Sequence, residues 1–123
     1  MLVLGTAITS PTASSSEAFS TFAIQYFLDN KKDLHIGSFD LDIIPVIASE
    51  YFSPEVISWI SGYRSYRRTI TDTMGFPVLV SFTTGEVHCY QKTPFIGGLH
   101  YRLLRKWAAE NIGSQNKTLD LKP

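Results

Sequence analysis

Cys89 is the only cysteine in the chain, and a lone thiol can neither close an intramolecular disulfide nor supply a two-cysteine redox or zinc site. It falls on a stretch that reads as a strand, away from any helix N-terminus that would lower its pKa, so an inert thiol is expected. His88 beside it, with His35 and His100, offers imidazoles, but no i, i+4 pair or tight Cys/His spacing makes a metal set of them. Asp40 and Asp42 alternate onto one face of a strand and could together hold a divalent cation on a nucleotide phosphate. Nothing else in the sequence points to a nucleotide. Ser10 lacks the Gly-x-Ser-x-Gly elbow, and it becomes a hydrolase nucleophile only where a fold brings a histidine and an acid within hydrogen-bond reach. Arg64, Arg67 and Arg68 cluster at the end of an apolar-periodic stretch and suit acidic groups on a partner. Asn116-Lys117-Thr118 matches a glycosylation acceptor, which carries meaning only in a secreted chain. No metal and no cofactor are expected.

Composition narrows the classes. Lysine plus arginine equals aspartate plus glutamate at 11 each among 123 residues, so the net charge is zero and no whole-chain field attracts nucleic acid. A hydrophobic content of 44% with 18% charged residues excludes general disorder and fits a single soluble domain. No apolar run approaches the roughly 20 residues that cross a bilayer, so no membrane insertion is expected. The polar run from Gly113 to Pro123 reads as a tail. The domain is expected over 1–113 with the tail at 114–123, cut from a longer protein.

Periodicity supplies the elements. Met1 to Ile8 reads as a strand that stops at Thr9-Ser10-Pro11-Thr12. Ser14 and Glu17 fit a capping box, and Phe19, Phe22, Ala23, Tyr26 and Phe27 form a helical stripe ending near Asp29-Asn30. Leu34 to Asp42 reads as a buried strand, and Ile43 to Tyr51 as a short helix with Pro45 in its first turn. Glu55 to Arg68 carries Val56, Ile57, Trp59, Ile60 and Tyr63 at helical spacing. Val78 to Phe82, the turn Thr83-Thr84-Gly85-Glu86 and Val87 to Gln91 make a hairpin. Leu99 to Ile112 forms the last helix, with Gly113 at its C-cap. A strand-helix-strand start gives a parallel pair, and the hairpin adds antiparallel strands to the same sheet. The expected class is α/β, with helices on both faces of a mixed sheet.

Gly75-Phe76-Pro77 followed by Val78-Leu79-Val80-Ser81-Phe82-Thr83-Thr84-Gly85-Glu86-Val87 resembles the second half of a thioredoxin domain. Leu41-Asp42-Ile43-Ile44-Pro45 resembles that family's step from strand to helix, and Leu103-Leu104-Arg105-Lys106-Trp107 its closing helix. The resemblance implies a thioredoxin-like three-layer α/β/α sandwich with a cis proline at Pro77. It places Thr9 to Ala13 in the loop that holds the family's two cysteines, with Ser10 in the first position, and Leu4 where active members carry a buried acid. A hydroxyl cannot form the mixed disulfide of thiol exchange, so a redox-inactive member is implied. Residues 53–74, where the family has a short link, stand out as an insertion carrying an extra helix.

By this resemblance the function expected is protein or peptide binding, or scaffolding between neighbouring domains, in a chaperone-like protein of the endoplasmic reticulum lumen. The implied client surface is Ser10, Pro11 and Thr12 with Phe76, Pro77, Phe95 and Ile96. Trp59, Arg64, Arg67 and Arg68 add a second candidate surface. On this view truncating Phe76 weakens binding and spares the fold. The alternative is a thiol- or glutathione-using enzyme domain with Ser10 in the cis-proline cleft.

Overall fold

The computed structural model describes residues 2–30, 42–63, 67–68, 73–91 and 98–113. In chain order these form β1 (Leu2–Ala7), α1 (Ala13–Asp29), β2 (Asp42–Ser49), α2 (Pro54–Ser61), β3 (Arg67–Arg68), β4 (Thr73–Gly75), β5 (Val78–Ser81), β6 (Val87–Cys89) and α3 (Gly98–Ala108). A π-helical turn over Ala109–Gly113 extends α3. Among the described residues no helix is long and apolar enough to cross a membrane.

All six described strands join one mixed sheet. β2 is its centre, parallel to β1 on one side and to β4 and β5 on the other. β4 pairs with the start of β2 and β5 with its end, so the two are halves of one line interrupted at Phe76-Pro77. Pro45 explains why the interruption is tolerated. The carbonyls of Ile43 and Ser49 accept from Phe76 and Phe82, and residues two apart on a strand address the same neighbour. The nitrogen of Pro45 therefore faces the β4/β5 line, where it has no hydrogen to give. β6 closes an antiparallel hairpin on β5, and β3 pairs antiparallel with β4.

Successive parallel strands β1, β2 and β5 step across the sheet in one direction, so connections of the same hand place α1 and α2 on one face. Three buried clusters agree with this arrangement. Ile24 and Phe27 of α1 pack on Ile43, Leu2 and Leu4. Val56 and Ile60 of α2 pack on Ile47 and Leu79 of the same sheet face. Tyr101, Leu104 and Ala108 of α3 cover Ile44, Val78 and Cys89 on the opposite face. The architecture is α/β, a mixed sheet with helices against both faces.

Several expectations are corrected. Ile43 to Tyr51 is not a helix, because its run of β-branched residues, buried on both sides, belongs to the central strand. The strand expected over Leu34 to Asp42 lies outside the described residues except for Asp42, the first residue of β2. The helix expected to Arg68 ends at Ser61 with Gly62 as its C-cap, and Arg67 and Arg68 form β3. The capping box of α1 is Thr12 with Ser15 rather than Ser14 with Glu17: Ser15 N–H donates to Thr12 Oγ1 at 3.0 Å and Thr12 N–H to Ser15 Oγ at 2.9 Å. The helix is also turned relative to its aromatic stripe. Ser16, Ser20, Ala23, Ile24 and Phe27 face inward while Phe22 and Tyr26 are exposed. No cis peptide bond occurs among the described residues, so the bond before Pro77 is trans.

Candidate functional site

Three strands end on the same edge of the sheet, and each runs into a loop. After β1, Ile8 still donates to the Ala48 carbonyl at 3.0 Å, and the chain then turns through Thr9, Ser10 and buried Pro11 into the cap of α1. Ser10 holds φ at 50°, the left-handed region that a side chain other than glycine or asparagine enters at a cost of about 1 kcal/mol. After β2, Glu50 and Tyr51 lead to Ser53, the N-cap of α2, whose Oγ accepts from Val56 N–H at 3.4 Å with Pro54 opening the helix. After β5, Ser81 Oγ donates to the Glu50 carbonyl at 3.0 Å and Phe82 N–H to the Ser49 carbonyl at 3.1 Å. These bonds tie the second loop to the third.

The loops enclose an open cleft of about 440 Å³, at the carboxyl ends of the parallel strands where α/β sheets offer their loops to ligands. Ile8 and Pro11 supply apolar wall, Thr9, Ser10, Ser49 and Ser53 supply hydroxyls, and Glu50 is the only ionisable side chain of the lining apart from the Tyr51 phenol. Tyr51 stands at the rim 69% exposed, and Phe82 is 51% exposed. An aromatic side chain held in water beside a partly apolar cleft has contact area to give a ligand.

The anticipated surface is divided. Ser10 and Pro11 line the cleft and Thr12 caps α1 beside it. Phe76 and Pro77 do not join them: both are fully buried, and they lie alongside the middle of β2, whereas Ser10 lies beyond its far end. Phe76 packs in the α3 cluster with its ring 6.1 Å from Tyr101, which removes it from any client surface. Phe95, Ile96 and Arg64 fall outside the described residues. Arg67 and Arg68 sit at a sheet edge opposite Met74 and Thr73, not on a helix end.

Trp59 is half-buried on α2 and serves the fold. Its Nε1 donates to Glu17 Oε2 of α1 at 3.0 Å and its ring meets Tyr63 edge-on at 5.3 Å. Sequence reasoning missed Glu50, Tyr51, Ser53 and Phe82. The signal was Ser53-Pro54, a helix N-cap and first position that follow the β-branched run Ile43 to Ile47 after a short polar and aromatic stretch, which marks a strand-loop-helix junction.

Cys89 lies in the α3 cluster, where burial pushes its thiol up while the Arg105 charge opposes. Native Cys89 is expected to react with a thiol reagent slower than the unfolded chain by about 10³ or more, the scale of an unfolding equilibrium. Timed alkylation read by mass spectrometry checks this, and rapid native labelling would place the thiol at the surface. His88 lies 3.7 Å from Glu86 and edge-on to Phe52. Among the described residues no three His, Cys, Asp or Glu side chains gather.

The chain matches no family model, no curated protein and no solved structure.

Proposed function

We propose that the chain is a binding module whose cleft at the carboxyl edge of β1, β2 and β5 receives a peptide segment of a partner protein. The observation that carries this reading is Tyr51, exposed at the rim of a cleft with apolar walls at Ile8 and Pro11. Tyrosine presents a large amphipathic surface at low entropy cost and recurs among the residues that dominate binding energy. The hydroxyls of Thr9, Ser49 and Ser53 suit the main chain of an extended segment, and the cleft's size falls in the range of small ligand sites. Glu50 is the lining's one carboxylate, so it selects against acidic segments and favours basic ones.

A redox-inactive thioredoxin-like domain in the endoplasmic reticulum, binding clients or bracing neighbouring domains, is the finer form of this reading. The hairpin after Pro77 supports it. The trans bond before Pro77 and the parallel pairing of β5 with β2 do not, so peptide binding is argued from the cleft alone. The thiol- or glutathione-using alternative requires Ser10 and Pro77 in one cleft, and their separation along the strands gives it no support.

Peptides selected from a random display library on the immobilised chain provide the probe. Tyr51→Ala is expected to weaken the selected peptides about thirtyfold or more, the threshold of a binding hot spot, with the melting temperature unchanged because the ring is exposed. Amide shifts on adding peptide should centre on Ile8, Thr9, Ser49 and Tyr51. Unchanged affinity, or shifts centred elsewhere, would remove the cleft from the function.

A further inference from the structure

Charge is sorted within this neutral chain. Three glutamates stand along the carboxyl edge of the sheet: Glu50 in the loop after β2, Glu55 in the first turn of α2, and Glu86 in the hairpin turn after β5, where its carbonyl accepts from Ser81 N–H at 2.9 Å. The lysines and arginines among the described residues lie elsewhere. Arg67 and Arg68 pair with β4 beside the start of β2, and Arg102, Arg105 and Lys106 belong to α3 on the opposite face of the sheet. The positive dipole ends of α1 and α2 reach the glutamate-bearing edge, but each amounts to about half a charge against three carboxylates, and Thr12 and Ser53 already cap them. The local field therefore draws cations to the cleft.

Ser49 is a second, separate observation. It is 4% exposed and lines the cleft, and among the described residues its hydroxyl has no hydrogen-bond partner. Buried hydroxyls are normally bonded. Those around it are: Ser53 Oγ accepts from Val56 N–H, and Ser81 Oγ donates to the Glu50 carbonyl. The group that would satisfy Ser49 is one that enters the cleft.

We propose that the cleft takes the arginine side chain of a basic partner segment, which rests on the peptide-binding reading and names what that site selects. A guanidinium carries five N–H donors in one plane, with two faces that stack on aromatic rings. The cleft has a counterpart for each part. The Glu50 carboxylate and the Ser49 hydroxyl oxygen accept its N–H groups, and the exposed rings of Tyr51 and Phe82 offer surface to its faces. A lysine ammonium is a compact, strongly hydrated charge that uses the carboxylate without the flat surfaces. An acidic segment meets like charge along the whole edge.

The test uses the full chain and the peptides selected on it from the random library. These are expected to share an arginine. Replacing it by citrulline, which keeps the shape and loses the charge, is expected to weaken binding about tenfold or more, the scale of a hydrogen bond to a charged group. Lysine in its place is expected to recover only part of the loss. Glu50→Gln, at an exposed position, should weaken the arginine peptide similarly and leave the citrulline peptide unchanged, a coupling that a general loss of structure does not produce. Ser49→Ala should weaken the arginine peptide at an unchanged melting temperature, and should that variant not fold, Glu50→Gln decides. Peptides that shift the cleft amides but share no basic residue, or that bind equally with arginine and citrulline, overturn this proposal and leave the cleft as a peptide site. Lysine binding as tightly as arginine overturns it too, as does unchanged affinity in Glu50→Gln or in folded Ser49→Ala. Amide shifts centred away from the cleft overturn both readings.

Discussion

Truncating Phe76 to alanine is expected to cost the fold about 3–5 kcal/mol, the range for deleting a fully buried aromatic ring. The ring is 0% exposed and is surrounded by Ile44, Val78, Tyr101, Leu104 and Ala108, drawn from β2, β5 and α3. Its position makes relaxation difficult. Phe76 lies between β4 and β5, its N–H donating to the Ile43 carbonyl at 2.9 Å, and Pro77 follows it with no N–H of its own. The backbone there is fixed by the ladder on both sides, so the wall cannot collapse into the space the ring leaves. A domain of this size has about 5–15 kcal/mol in total, and the variant should lose about a fifth of it or more. Urea unfolding measures the effect as a lower midpoint at unchanged slope. A loss below about 1 kcal/mol would mean that the ring is not in the α3 core. The sequence-based expectation was the opposite, with folding spared and binding lost.

The reason for that reversal lies in what periodicity can and cannot report. Helices with a wide apolar stripe and a clear stop were legible: α1 ends at Asp29 beside Asn30, and α3 with its π-helical extension ends at Gly113. The hairpin was legible too, because Gly85 holds φ at 76° in a turn that demands it. The central strand was not. A strand buried on both faces has no alternation to show, and Ile43-Ile44-Pro45-Val46-Ile47 reads equally as a short apolar helix with proline in its first turn. Only the tertiary context decides, through the facing interruption at Phe76-Pro77 that leaves the Pro45 nitrogen without a missing bond.

That single misassignment carried the site with it. With 43–51 taken as a helix, Glu50, Tyr51 and Ser53 fell inside or just after an element rather than at a strand end. The cleft was then built from Ser10 and a supposed cis proline instead of from three adjacent loops. Ser10 and Pro11 line the cleft because β1 ends at Ala7 and α1 begins at Ala13, which leaves both residues in the loop between them. The rotation of α1 was hidden for a different reason. Ser16 and Ser20, both 0% exposed, line its inner face where polarity scales place the surface. Ser20 Oγ donates to the Ser16 carbonyl at 2.8 Å within the helix, which satisfies its hydroxyl without a partner outside.

Alkaline unfolding is expected to report the contact between α1 and α2. Tyr63 follows α2, sits in the cluster of Ile47, Val56 and Ile60, and lies edge-on to Trp59 at 5.3 Å. Burial pushes its phenol from 10.0 up to about 12, and the Glu17 carboxylate adds to the rise. The folded chain therefore binds the phenolic proton more tightly than the unfolded chain does. Below the unfolded value of 10.0 both states are protonated and the contribution is complete. As pH rises from 10.0 toward about 12 the unfolded chain releases its proton while the folded chain keeps it, and stability falls through that window. A shift of this size corresponds to at most about 2–3 kcal/mol. Tyr63→Phe removes the titrating group, so its stability curve should stay flatter than the wild type's across the same window. Glu17→Gln should move the fall to lower pH by the smaller share that the carboxylate supplies, while also weakening the Trp59 Nε1 bond that now joins α1 to α2. Urea midpoints taken across that window compare the three chains. A wild type and Tyr63→Phe that lose stability in parallel would show that this phenol ionises in the folded chain as freely as in water, and so does not lie within the α2 cluster.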